Sequence, residues 1–147
     1  MAANSRFAMA THIMTAVAVK AQGELVSSSY LADSLNTNPV VVRRILSELQ
    51  KAGLLVTQAG RTGGARLAKT PAAISLYDVY AAVDDGELFA YNPNDPKKSC
   101  PLSCEMKAVL EPVFASASGA LSDNLKRVFL SDLLARLSKK CTGGKTG

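Results

Sequence analysis

The chain is 147 residues long, 48% apolar, and carries a formal net charge of +5. That length fits one compact domain with an appended oligomerisation element, and the apolar content is too high for a disordered chain. No stretch approaches the ~18 apolar residues that span a bilayer, and the start MAANSRFAMATHIM lacks the pattern of a secretory signal, so no membrane partner is expected.

The charge is unevenly placed. Residues 1–70 hold eight Lys and Arg against three Asp and Glu, whereas residues 71–147 hold nine of each. The surplus therefore lies in the first half, as suits a segment that meets a polyanion, although many soluble enzymes carry a similar surplus. Three cysteines form an odd set in a chain large enough to manage without disulfide staples, which points to a reducing cytoplasm.

In chain order, Ser5 can cap a first helix from about Arg6 to Ala21. In it Phe7, Ala10, Ile13, Met14 and Val17 recur on one side, and Gly23 supplies a stop. Ser27 or Ser28 opens a short second helix with Leu31, Ala32 and Leu35 as its buried stripe. Asn36-Thr37-Asn38 reads as a turn, and Asn38-Pro39 as the cap and first position of a third helix that runs to about Lys51, with Gly53 beyond it.

At about 100° per residue, Val42, Ile45, Leu46 and Leu49 cluster on one face of the third helix. Val40, Arg44, Ser47 and Lys51 cluster on the opposite face, with Arg43 on its flank. Arginines on such a face can fork onto guanine or grip phosphate, while small residues permit close approach; the same face is also compatible with an ordinary solvated surface.

Leu54–Thr57 reads as a strand and Ala65–Ala68 as its partner, joined by the glycine-rich turn Gln58-Ala59-Gly60-Arg61-Thr62-Gly63-Gly64. A phosphate-binding loop is excluded because no Gly-Lys-Ser/Thr follows the glycines. Two short helices, a helix with a polar outer face and a hairpin with a basic tip together read as a winged helix-turn-helix. The DNA-facing residues expected are Arg6, Ser28, Ser29, Pro39, Val40, Arg43, Arg44, Ser47, Arg61 and Thr62.

After Pro71, Ser75 can cap a fourth helix from Leu76 to about Val83, broken at Asp84-Asp85-Gly86. Leu88–Tyr91 is a short apolar stretch, and Asn92 to Ser99 is a loop. From Pro101 the chain turns helical again, bent or restarted near Pro112. The last helix, about Ser118 to Lys139, carries Leu121, Leu125, Val128, Phe129, Leu130, Leu133, Leu134 and Leu137. That surface is wide enough to pack on its own domain and on a second copy, or to be buried within one chain; a homodimer would match a palindromic operator in double-stranded DNA. The fold class expected is thus mainly α with a small β-hairpin wing and a long C-terminal dimerisation helix. Residues 1–70 form the DNA-binding domain, 71–100 a linker helix and sensor loop, 101–140 the dimerisation helices, and 141–147 a tail.

Ser5–Ile13, then Leu46-Ser47-Glu48-Leu49-Gln50-Lys51-Ala52-Gly53-Leu54-Leu55, then Gly60-Arg61-Thr62-Gly63-Gly64 with Leu67-Ala68, resemble in order the Rrf2 family of bacterial winged-helix regulators. Within it, Asn92-Pro93 and Cys100-Pro101-Leu102 are closest to the cluster-less YwnA-like branch rather than to the branches of IscR, NsrR and CymR. The family's wing usually has an aromatic after the paired glycines, where this chain has Ala65. The resemblance implies a dimeric transcriptional regulator, most often a repressor. Cluster-bearing members hold three cysteines between wing and dimer helix; here only Cys100 and Cys104 lie there, with Cys141 in the tail.

Cys100 precedes Pro101 at the positive end of a helix and follows Lys97 and Lys98. Both features favour negative charge on its sulfur, making it a candidate redox-sensing thiol, with Cys104 one turn along as a candidate resolving thiol. Inert cysteines with another ligand, or an iron–sulphur cluster needing further donors such as His12, are the alternatives to a cofactor-free thiol switch. An enzyme is not expected, because Cys-x-x-x-Cys lacks oxidoreductase spacing and one histidine leaves few general bases.

Overall fold

The computed structural model describes residues 5–20, 24–84 and 88–141, with side chains as far as 137. The stop at Gly23, the break at Asp85-Gly86 and the tail beyond Cys141 lie outside the described residues. The chain forms two compact units: one runs to Asp84 and resumes at Lys126, and the other is the intervening segment ending at Leu125.

In the first unit, helix α1 spans Ser5–Lys20, α2 Ser28–Leu35 and α3 Pro39–Lys51. Each start has a local cause. The Ser27 side chain accepts the Tyr30 N–H at 3.1 Å, and Asn38 Oδ1 accepts the Val40 N–H at 2.9 Å, with Pro39 in the first position where its missing N–H costs nothing. Asn36 closes α2 in the left-handed conformation, at φ 51°. The tight turn then sets α3 across α2.

The predicted stripes face the core, with Phe7 and Leu35 only partly buried against it. Ala10, Ile13, Met14 and Val17 of α1, Leu31 and Ala32 of α2, and Val42, Ile45, Leu46 and Leu49 of α3 form one core with Val26, Leu54, Leu55 and Ala65. Strands β1 (Leu55–Gln58) and β2 (Gly64–Leu67) pair antiparallel, Leu55 opposite Leu67 and Gln58 opposite Gly64, one residue displaced from the sequence expectation for each. Val26 adds an isolated bridge to Ala65, exchanging two backbone hydrogen bonds of 2.8 Å, so the wing is stitched to the segment before α2.

Helix α4 (Leu76–Val83) opens with a reciprocal cap. The Ser75 hydroxyl accepts the Asp78 N–H at 3.1 Å, and the Asp78 carboxylate accepts the Ser75 N–H at 2.9 Å. Two expectations for the C-terminal half are corrected. Helix α5 runs unbroken from Pro101 to Lys126 through Pro112, so the chain does not restart there. The last helix does not run from Ser118 to Lys139. It is interrupted after Lys126 and begins again as α6, Leu130–Cys141. The cause is backbone pairing: the Leu76 N–H donates to Val128 at 2.8 Å and the Leu130 N–H to Ile74 at 2.9 Å, which requires extended chain between the helices. Leu130 is then fully buried in the core and Leu133 packs against it, so α6 closes the first unit.

In the second unit, residues 88–100 form neither helix nor strand. Phe89 stacks on Phe114 with ring centres 4.7 Å apart, and Tyr91 meets the same ring at 5.3 Å.

Candidate nucleic-acid interface

A groove of 640 Å³ opens where α2, α3 and the wing meet. Ser27, Ser28 and Ser29 form its wall at the start of α2; Arg43, Ser47 and Gln50 come from α3; Thr57 through Arg61 with Gly63 and Gly64 come from the wing. The helix start contributes outward N–H groups and the positive end of its dipole, which favour an anion. Five of the expected residues, Ser28, Ser29, Arg43, Ser47 and Arg61, thus line one concavity.

Pro39, Val40, Arg44 and Thr62 are exposed beside it. Val40 is 57% exposed, on the side of α3 that faces away from the core stripe Val42, Ile45 and Leu49. Among the described residues, Arg43, Arg44, Lys51 and Arg61 enter no ion pair, which leaves a basic face on this side of the unit.

Arg6 differs from the rest. It is half-buried at the start of α1, with one guanidinium nitrogen on both carboxylate oxygens of Glu48 in α3. Nothing in the spacing of positions 6 and 48 signals this pair. The groove also includes Gln50, whose side-chain carbonyl accepts the Thr57 hydroxyl and so ties α3 to β1; neither residue was foreseen as part of the site.

The wing's shape follows from its glycines. Gly60 has φ +102°, a conformation that side chains resist, and the Gly63 N–H closes the turn on Gly60 at 3.0 Å. A Cβ on Gly63 would stand 2.1 Å from the Gln58 carbonyl oxygen, inside the wing's own backbone. Ala65 is completely buried against Val26, so a small residue fits where the two backbones meet.

Two of the three cysteines, Cys100 and Cys104, lie in the second unit. Cys100 is half-exposed immediately before α5, and Cys104 is exposed one turn on. Both address the carbonyl of Lys97: the Cys100 N–H donates to it at 2.9 Å and the Cys104 thiol at 3.6 Å. The Lys97 N–H donates in turn to the Ser103 hydroxyl at 2.8 Å. The side chain of Cys141 lies outside the described residues. His12 is an exposed surface residue whose Nε2 is 2.8 Å from the Ser34 hydroxyl.

Residues 3–136 match the profile of the Rrf2 family, described as iron-dependent transcriptional regulators. YwnA of Bacillus subtilis, a candidate HTH-type transcriptional regulator, is 43% identical over 135 residues, covering 91% of this chain and 98% of YwnA. The HTH-type transcriptional regulator NsrR of Bacillus licheniformis is 32% identical, covering 83% of this chain and 84% of NsrR. A crystal structure of a candidate DNA-binding protein superposes with a TM-score of 0.72 at 40% identity, covering 88% of this chain and 99% of the other. The iron in the family's description finds no matching donor set: among the described residues, no three His, Cys, Asp or Glu side chains are grouped to hold a metal ion. Among the described side chains Cys100 and Cys104 supply two sulfurs, where a cluster held by cysteine alone takes four.

Proposed function

The chain belongs to the Rrf2 family of HTH-type transcriptional regulators, and from that premise we propose that it is a cytoplasmic, homodimeric repressor of a palindromic DNA operator, switched through Cys100. The observation that carries the reading is the convergence of three elements on one groove: the serine-rich start of α2, the basic face of α3 and the arginine-tipped wing. A helix face of this kind enters a major groove with Arg43, Arg44, Val40 and Ser47 at the base edges. The start of α2 and Pro39 border phosphates, and Arg61 and Thr62 follow the backbone toward the minor groove.

Dimerisation is assigned to α5. Leu102, Met106, Val109 and Val113 follow each other at spacings of four, three and four residues, and all are exposed in the single chain, Leu102 at 65% and Val109 at 58%. That spacing is the seam of a helix pair. Within the surface Leu121–Leu137, Leu130 and Leu133 serve the side that packs on the first unit.

The switch uses the Lys97 carbonyl as its lever. A peroxide oxidises the Cys100 thiol to a sulfenic acid, itself becoming one water; the Cys104 thiol then displaces a second water from that sulfur and closes a disulfide. Cys104 thereby loses the S–H that donates to Lys97, which removes one of the three hydrogen bonds holding the loop before α5.

Duplexes selected from a random-sequence pool by the reduced protein supply the test. The reduced protein should retain a defined palindrome, peroxide should weaken that binding, and Cys100→Ser should bind without responding to peroxide. Retention of no duplex would overturn the DNA reading, and an unchanged peroxide response in Cys100→Ser would overturn the switch.

A further inference from the structure

Glu48 is a carboxylate at the edge of a face proposed to meet a polyanion. On α3 it lies one turn beyond Arg44, at the i to i+4 spacing at which opposite charges on a helix pair. It is also adjacent in sequence to Ser47. Left to itself, such a carboxylate would engage the Arg44 guanidinium and repel nearby phosphates. Among the described residues no ion pair joins Glu48 to Arg44; Glu48 is paired with Arg6, which reaches across from α1. The two side chains retain 27% and 26% of their exposure, so solvent screens the pair less than it would two surface charges.

We propose that Arg6 is a positioning residue for DNA recognition: it sequesters the Glu48 carboxylate, and so leaves the Arg44 guanidinium available to DNA. The inference rests on the reading of α3 as the DNA-facing helix. It gives Arg6 a role distinct from gripping phosphate, because its guanidinium is already committed to a carboxylate. It also explains why a helix face with an adjacent acid presents its arginines unpaired.

The test is a double-mutant cycle on duplexes selected from a random pool by the wild-type protein, with thermal unfolding followed for every variant. Arg6→Ala frees the carboxylate and should weaken binding on the order of tenfold. Glu48→Gln alone should bind as well as wild type or more tightly. The double variant Arg6→Ala with Glu48→Gln should return to within about twofold of wild type, a rescue that a purely structural tie would not give. Arg6→Lys keeps the charge and should retain most of the affinity, which covers the case in which Arg6→Ala fails to fold. A double variant as weak as Arg6→Ala would overturn the proposal by showing that Arg6 itself grips phosphate. A Glu48→Gln variant as weak as Arg6→Ala would also overturn it, by showing that the pair serves to hold α3 in place. Wild-type protein that retains no duplex at all would instead remove the DNA reading on which the proposal rests.

Discussion

Gly64 of the wing lies so close to Val26 that a Cβ at position 64 would stand 2.5 Å from the Val26 carbonyl oxygen. The neighbouring residue, Ala65, exchanges both of its backbone hydrogen bonds with Val26. The paired glycines therefore do more than turn the chain: the second lets the wing dock on the segment that leads into α2. Because that segment also carries Ser27, Ser28 and Ser29, docking sets the width of the groove.

Gly64→Ala is accordingly expected to cost about 1–3 kcal/mol, since backbone must move to admit the methyl group. Gly53→Ala should cost about 1 kcal/mol for a different reason, because the site is open but its φ of +76° disfavours a side chain. Denaturant unfolding measures both. Only the first should also weaken DNA binding, as only it disturbs the wing.

Arg44 and Arg61 should be separable by salt and sequence. Arg44→Ala is expected to lose about 1–3 kcal/mol on the selected duplex and to relax the base preference at one position. Arg61→Ala should weaken all duplexes alike and lower the slope of log affinity against log salt by about one. Titrations at several salt concentrations on selected and scrambled duplexes distinguish the two patterns.

Val109→Asp places a charge in the middle of the exposed seam of α5. Sedimentation should show the monomer gaining at the expense of the dimer, with operator affinity falling alongside it. The helical circular dichroism of the chain should change little, because Val109 makes no contribution to the core. An unchanged sedimentation coefficient across a dilution series would place the dimer contact elsewhere.

Tyr80 provides a pH signature. Burial pushes its hydroxyl above its ordinary value of 10.0, reinforced by the charge of Asp84, a hydrogen bond to Asp84 and the neighbouring Tyr77. The folded state therefore keeps the Tyr80 proton at a pH where the unfolded chain has lost it. The resulting contribution to stability is fully present below pH 10 and declines as pH rises through the folded value. Stability measured across that alkaline range should fall less steeply in Tyr80→Phe, which retains the ring edge against Phe7.

Much of the first unit was legible because its signals are local. The caps at Ser27, Asn38 and Ser75, the proline at the start of α3, and the apolar stripes of α1 and α3 act within one or two helical turns. The same periodicity that buried Ile45 and Leu49 necessarily turned Arg44 and Ser47 outward. The site was thus readable wherever it is the back of a core stripe. The end of the chain was less legible, because Leu121 to Leu137 keeps helical spacing across the interruption. Periodicity records which residues are apolar, and not whether Val128 and Leu130 find backbone partners at Leu76 and Ile74.

Local sequence signals encode the winged helix-turn-helix, the exposed basic face of α3 and the glycine-rich wing, since these depend on spacing, capping and the conformational freedom of glycine. Tertiary structure decided what distance along the chain conceals: the pairing of Arg6 with Glu48, the docking of Gly64 on Val26, and the return of α6 to the core. Each joins residues at least 38 positions apart, so no local preference encodes it. The folded backbone alone brings those atoms together, and it does so at the edges of the surface proposed to read DNA.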